Sequence, residues 1–158
     1  MIQTESAKPQ KEAIVSLREV TKETVRAICN LKVAPHQEQF VDSNAMSIAQ
    51  VYFDPEAVWM RGIYAGETPV GFVMVLDDLG NEERHLWRFM LDARFQGYGY
   101  GRQALALLID YFKTRPDVRA LLTSCLPGEG GPCPFYEKLG FVYTGEVDEG
   151  ELMMRLPL

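Results

Sequence analysis

Gln96-Gly97-Tyr98-Gly99-Tyr100-Gly101-Arg102 alternates glycine with tyrosine just ahead of an apolar stripe at helical spacing, Leu105, Leu108, Ile109 and Phe112. Glycine within a helix costs roughly 1 kcal/mol relative to alanine, so glycines at a helix entrance need a compensating use. The first N–H groups of a helix have no internal acceptor, and the helix dipole adds partial positive charge there. Glycines at this point let a bulky anion reach those donors, which is how a phosphate group is held. Arg94 and Arg102 flank the segment and can neutralise charge. The alternative reading is a tight turn and nothing more.

Two familiar phosphate loops do not match. A Walker loop ends in Gly-Lys-Ser/Thr, which does not follow these glycines. A dinucleotide fingerprint needs its third glycine three residues after the second, and an acidic residue at the end of the next strand. Here the third glycine comes two residues after the second, and the matching strand end carries Thr123 and Ser124.

The remaining composition narrows the field. The 158 residues carry 22 Asp and Glu against 16 Lys and Arg, a formal net charge of −6. That balance argues against a nucleic-acid partner, whose phosphates call for clustered basic side chains, and mildly favours a cationic one. No apolar run approaches the roughly 20 residues of a membrane span, and the polar start lacks the apolar core of a signal peptide. Three cysteines, Cys29, Cys125 and Cys133, are an odd number. Without a secretion signal they read as free thiols in a reducing, cytoplasmic setting. Their spacing and the scarcity of histidine (His36 and His85) argue against a metal site.

The elements that must position the glycine segment follow from apolar periodicity and turn residues. Residues 1–12 read as a loose tail and 13–158 as one domain. Alternation predicts a strand over 15–20, then a helix capped by Thr21 and running to about Leu31. A polar loop, 32–40, precedes a short helix begun by Asp42 and Ser43 and stopped by Pro55. Residues 58–65 and 69–76 form a hairpin about Gly66-Glu67-Thr68, and a turn over 77–83 leads into a strand over 85–92. The glycines then open a helix to about Thr114. A strand over 120–126 and a short helix over 134–140 follow. A final hairpin turns at Asp148-Glu149-Gly150. This order predicts an α/β (α+β) fold. A mixed, mostly antiparallel sheet of six to seven strands is flanked by about four helices, with one right-handed parallel crossover over 85–126. An open sheet edge at residues 151–158 would suit a homodimer.

With those elements in place, the sequence resembles the GNAT acetyltransferase superfamily. Gln96 through Gly101 matches its Q/R-x-x-G-x-G/A pattern, and Phe135-Tyr136-Glu137-Lys138-Leu139-Gly140-Phe141 matches its second signature about forty residues on. The likeness covers the chain from Val15 to Leu156. Three further stretches resemble the bacterial spermine/spermidine (diamine) acetyltransferase branch. They are Ala34 to Val41 with Asn44, Leu86-Trp87-Arg88-Phe89-Met90, and Gly130-Gly131-Pro132 with Thr144-Gly145-Glu146.

The resemblance implies a site. Acetyl-CoA would be the co-substrate, with Gln96, Gly97, Tyr98, Gly99, Tyr100, Gly101 and Arg102 around its pyrophosphate. Phe89, Met90 and Leu91 would lend main-chain groups to its pantetheine arm, the Met90 N–H meeting the developing oxyanion. Tyr136 matches the family's general acid, which protonates the leaving thiolate. The position of the family's strand glutamate is Trp87 here, so the expected base, or cation holder, is Glu38, with Gln37, Phe40 and Asn44 beside the acceptor. Glu129 stands where the family often has asparagine. Direct transfer needs no cysteine nucleophile, although Cys125 and Cys133 border the thiol region. The expected acceptor is a primary amine of a small cation such as spermidine or spermine, drawn in by Glu38, Asp42, Asp54, Glu56 and Asp77. An aminoglycoside, an amino acid, a protein N-terminus, or a non-catalytic acyl-CoA-binding role are the alternatives. No metal, nucleic acid or membrane partner is expected.

Overall fold

A computed structural model describes residues 12–77 and 80–158. The expected tail thus lies almost wholly outside the described residues, as does part of the turn expected over 77–83. Seven strands form one sheet: β1 (Val15–Arg18), β2 (Val58–Ala65), β3 (Thr68–Leu76), β4 (Glu83–Leu91), β5 (Ala120–Cys125), β6 (Val142–Asp148) and β7 (Glu151–Pro157). Their spatial order is β1-β2-β3-β4-β5-β7-β6. Every neighbouring pair is antiparallel except β4 and β5, which run parallel from Glu83 opposite Ala120 to Leu86 opposite Thr123. The crossover between them is helix α3 (Tyr100–Lys113).

Both faces of the sheet are covered. β3 shows this through its period of two: Val73 and Val75 join the core beneath α3, while Phe72 and Met74 join the core beneath the first two helices. α3 buries Ala104, Leu105, Leu108 and Phe112 completely, each large side chain contributing roughly 1.5–3 kcal/mol. The opposite face is packed by α1 (Val25–Asn30) and α2 (Asn44–Val51).

Several elements depart from expectation at their ends. α1 starts at Val25 rather than Thr21, because the N–H groups of Thr24 and Val25 both donate to the Thr21 carbonyl and close a turn first. The polar loop contains a 3-10 turn over Pro35–Phe40, with the Ala34 N–H donating to Gln37 Oε1. Ser43 caps α2 by accepting from the Met46 N–H at 3.1 Å. β7 is not the expected open edge at residues 151–158. It lies between β5 and β6, and the edges are β1 and β6. β6 is exposed along its whole length, and its pairing slips about Gly145, whose φ is +90°; such an irregularity blunts an edge.

The cysteine expectation fails. Cys125 and Cys133 form a disulfide, and Cys29 is the free thiol. Cys125 ends β5 and Cys133 begins α4 (Cys133–Lys138), so the intervening loop doubles back and brings their Cα atoms to 5.5 Å. Eight residues of spacing give no sign of this.

Arg84 is also unexpected. Its side chain is fully buried, bonded to Asp77 and, at 2.6 Å, to Asp117, while Arg115 meets Asp77 at 2.7 Å. This cluster fastens the start of β4 to the end of β3 and to the α3–β5 connection. No helix among the described residues is long and apolar enough to cross a membrane.

Candidate active site

The site grows from an irregularity in β4. Met74 pairs with Arg88 and Val75 with Leu86, so Trp87 is an extra residue on β4. A bulge bends its strand and increases its twist. The parallel pairing with β5 stops just before it, at Leu86 and Thr123, although β4 runs on to Leu91 and β5 to Cys125. The two strands therefore diverge as a fork.

At the far end of β4, Asp92 turns the chain. Its carboxylate accepts from the Lys32 N–H at 3.0 Å, from the Arg94 N–H at 3.0 Å and from Arg94 Nε at 2.8 Å. Burial pushes its pKa up, but these donors outweigh burial and hold it below the ordinary value. The glycine turn follows. Gly97 and Gly99 have φ of +84° and +83°, a left-handed conformation that L side chains rarely adopt. Gly99 is the residue that enters α3. A Cβ on Gly97 would meet nothing within 4 Å, and on Gly99 only the end of the Gln103 side chain at 4.0 Å. Gly101 differs: it is helical and packs closely, a Cβ there falling 3.3 Å from Leu91 and 3.5 Å from Phe135.

A cavity of about 770 Å³ fills the fork. Tyr136, from α4, lies in its wall and is itself buried. Burial pushes the phenol up to about 12, a hydrogen bond with Thr123 opposes that, and the charge of Glu151 adds to it. Thr123 in turn donates to the Leu86 carbonyl at 3.2 Å, at the point where the strands part. The phenol is thus held at the crotch of the fork and stays protonated throughout the ordinary pH range.

The expected residues divide into three groups. Gln37, Phe40, Phe89, Met90, Leu91, Gln96 and Gly101 line this cavity with Tyr136. Gly97, Tyr98, Gly99, Tyr100 and Arg102 lie beyond its wall at the mouth of α3; the Tyr98 and Tyr100 rings stack at 5.5 Å and Tyr100 is wholly buried. Glu38 and Asn44 are not in the wall. Glu38 is exposed on the 3-10 turn, and Asn44 is 2% exposed, donating to the Ile28 carbonyl at 2.9 Å and to Met90 Sδ at 3.5 Å. Glu129 is exposed on the loop before α4.

The acidic residues named for the acceptor cleft also lie elsewhere. Asp77 holds Arg84 and Arg115, Asp42 pairs with Arg88 at 2.8 Å, and Asp54 and Glu56 face solvent. The acids in the wall are Asp148, Glu149 and Glu151, from the β6–β7 hairpin. Glu151 accepts from Ser124 Oγ at 2.6 Å. His85 and Arg88 of β4 complete this polar end. The bulge at Trp87 breaks the alternation of β4, leaving Leu86 and Phe89 in one core and Trp87 and Met90 in the other, so a strict period of two counted back from Phe89 does not find His85. Nothing local in sequence brings the hairpin to β5.

A family model described as "Acetyltransferase (GNAT) family" matches residues 17–141. The spermine/spermidine N(1)-acetyltransferase of Bacillus subtilis is 25% identical over 147 residues, which is 89% of this chain and 96% of that relative. Among solved structures, the spermidine N-acetyltransferase of Vibrio cholerae, in complex with CoA and spermine, is similar with a TM-score of 0.70. It is 16% identical over 91% of this chain and 94% of that one. A Salmonella typhimurium acetyltransferase that modifies the N-terminal serine of a 50S ribosomal subunit protein gives a TM-score of 0.76. It is 19% identical over 94% of this chain and 98% of that one. The matched span runs from within β1 to just past α4 and so takes in the fork, the glycine turn and Tyr136: the chain belongs to the acetyltransferase (GNAT) family and is an acyl-CoA-dependent N-acetyltransferase.

Proposed function

We propose that this enzyme transfers acetyl from acetyl-CoA to a primary amine of a small cation, a polyamine such as spermidine or spermine. The observation that carries the reading is the polarity of the cavity: one end meets the glycine turn, the other is walled by Asp148, Glu149 and Glu151, and Tyr136 lies in the same wall. An acidic end attracts a cationic acceptor. The names of the Bacillus subtilis and Vibrio cholerae proteins support the same acceptor. Fold likeness alone does not select it, since a protein N-terminal acetyltransferase is as similar.

The residues present fit the co-substrate. Gly97 and Gly99 have open space where side chains would otherwise stand, so the N–H groups entering α3 can approach a pyrophosphate, with Arg102 beside them. Beyond the bulge, the main chain of Phe89, Met90 and Leu91 borders the cavity where β5 has turned away. It offers the pantetheine arm strand-like hydrogen bonds, and the Met90 N–H is our candidate donor to the acyl oxygen. Tyr136 gives its proton to the departing thiolate sulfur. Gln37 and Phe40 border the acceptor. Of the two roles left to Glu38, drawing in the cation suits its exposed position better than abstracting a proton, and Asn44 supports Met90 from behind.

The test is an assay of purified protein with acetyl-CoA, a thiol reagent and a panel of amines: spermidine, spermine, an aminoglycoside, amino acids and an N-terminal peptide. Saturable thiol release that favours the polyamines is expected. Preference for another amine moves the acceptor assignment. CoA binding with no turnover of any amine supports the non-catalytic reading.

A further inference from the structure

The proposed reaction supplies a donor for the leaving sulfur but leaves the proton of the attacking nitrogen without a receiver. Amines are mostly protonated at neutral pH, and the N–C bond forms only as the nitrogen gives up a proton. Glu38, the sequence candidate, is outside the cavity wall. A receiver must lie in that wall, at the acidic end, and carry a free lone pair.

His85 meets those conditions. It lies on β4 two residues before the bulge, opposite Leu122 of β5, and lines the cavity. Its Nε2 is shut away from solvent with no hydrogen-bond partner among the described residues. A neutral imidazole keeps a lone pair on one of its two ring nitrogens, and this ring stands in the cavity wall. Every titratable or charged group that bears on it is identifiable. Glu151 of β7 and Asp148 of β6 favour the imidazolium, Arg88 on the same strand disfavours it, and burial is the largest influence, against the charged form. The ring is therefore neutral at pH 7, the state that accepts a proton.

We infer that His85 is the general base of this enzyme, taking the proton from the acceptor amine as it attacks, with Glu151 stabilising the imidazolium that results. The inference rests on the acetyl-transfer reading. In the step, the ammonium first gives its extra proton to solvent; the amine lone pair then forms an N–C bond to the acetyl carbon while an N–H bond breaks toward the imidazole nitrogen of His85 that holds the lone pair. The C–S bond then breaks, its electron pair leaves on sulfur, and the sulfur takes the Tyr136 proton. The imidazolium proton returns to the phenolate through solvent in the cavity, so amine and thioester become amide and thiol with both side chains restored.

The test measures kcat against pH from 5 to 9, at saturating acetyl-CoA and the best amine of the panel, for the native enzyme and for His85→Gln, Glu151→Gln and Arg88→Met. The native profile is expected to fall on the acid side with unit slope. His85→Gln is expected to flatten that limb and lower kcat roughly 100-fold, with CoA affinity unchanged by calorimetry and activity partly restored by added imidazole. Glu151→Gln should move the limb to lower pH and Arg88→Met to higher pH, which keeps the inference testable if His85→Gln fails to fold. An acid limb that survives His85→Gln, or that stays put in both charge variants, overturns it. If the native enzyme turns over no amine, the acetyl-transfer reading itself fails and this inference fails with it.

Discussion

The side-chain amides of Gln37 and Gln96 each donate to the other, at 3.0 Å and 2.8 Å, across 59 positions of sequence. Gln96 also donates to the Leu91 carbonyl at 3.0 Å, and Gln37 Oε1 accepts from the Ala34 N–H. One amide pair therefore ties the 3-10 turn, which carries Phe40 into the cavity, to the chain leading from β4 into the glycine turn.

Gln37→Ala should consequently raise KM for acetyl-CoA, although Gln37 is proposed for the acceptor side. Each single alanine variant is expected to lose about 1 kcal/mol of stability. A double-mutant cycle read by urea unfolding should show coupling on the order of 1 kcal/mol. Strict additivity in that cycle would mean the pair does not act as a tie.

Tyr136→Phe should lower kcat by roughly 100- to 1,000-fold and leave the Kd for CoA within a factor of two. The phenol is pushed up to about 12, so the native rate should show no decline from its ionisation in the alkaline range up to about pH 10. Thr123→Val removes the hydrogen bond that holds the pKa down; kcat should fall while KM for the amine holds. Native-like turnover in Tyr136→Phe would assign the thiolate's proton to another source.

The glycines separate two functions. Gly99→Ala forces alanine to φ near +83°, at a cost of roughly 1–2 kcal/mol, and CoA affinity should drop with stability. In Gly101→Ala the helical conformation is ordinary and gains up to about 1 kcal/mol of propensity, against tight contacts with Leu91 and Phe135. Its melting temperature should change little while CoA affinity falls. Equal thermal losses in the two variants would contradict this division.

Gly97, Gly99 and Gly101 also mark how far sequence carries. Their spacing announced a turn at the entrance to α3, and the alternation of apolar residues announced the strands around it, because both depend on local backbone chemistry. Gly101 looked like its neighbours in sequence, yet its constraint is a contact with Phe135, which only tertiary packing reveals. Asn44 appeared beside motif residues and proves to brace Met90 from the interior, since a motif says nothing about which way a side chain turns. The acids expected around the acceptor come from the first half of the chain, whereas those that line the cavity come from its last hairpin, for a related reason. Asp42 pairs with Arg88 and Asp77 with Arg115, arginines from distant segments, while Glu151 reaches the cavity because β7 pairs with β5. Long-range pairing of this kind leaves no periodicity to read.

Denatured, unreduced protein should titrate one thiol per chain, Cys29, and reduced protein three. Reduction is expected to cost up to about 2–3 kcal/mol by loop-closure entropy, seen as a lower melting temperature that Cys133→Ser reproduces. Three reactive thiols before reduction would contradict the disulfide.

Asp92 sets an acid limit on stability. Its pKa is lower folded than unfolded, so its contribution is complete above its unfolded pKa, about 4, and disappears as pH falls through the folded value. Asp92→Asn should be less stable than the native protein at pH 7, with the gap closing in acid below about pH 4. A gap in urea midpoints that does not depend on pH would remove the carboxylate's charge from the explanation.

The position of β7 has a consequence for synthesis. It is the C-terminal strand among those described, yet it is inserted between β5 and β6, and its Glu151 and Met153 form part of the cavity. During translation, β5 therefore waits with one side unsatisfied until residues 151–157 leave the ribosome. A stop codon at 150 would remove an inner slat of the sheet and strand β6 without a partner. Such a truncated product should be degraded or aggregate rather than survive as a weakened enzyme.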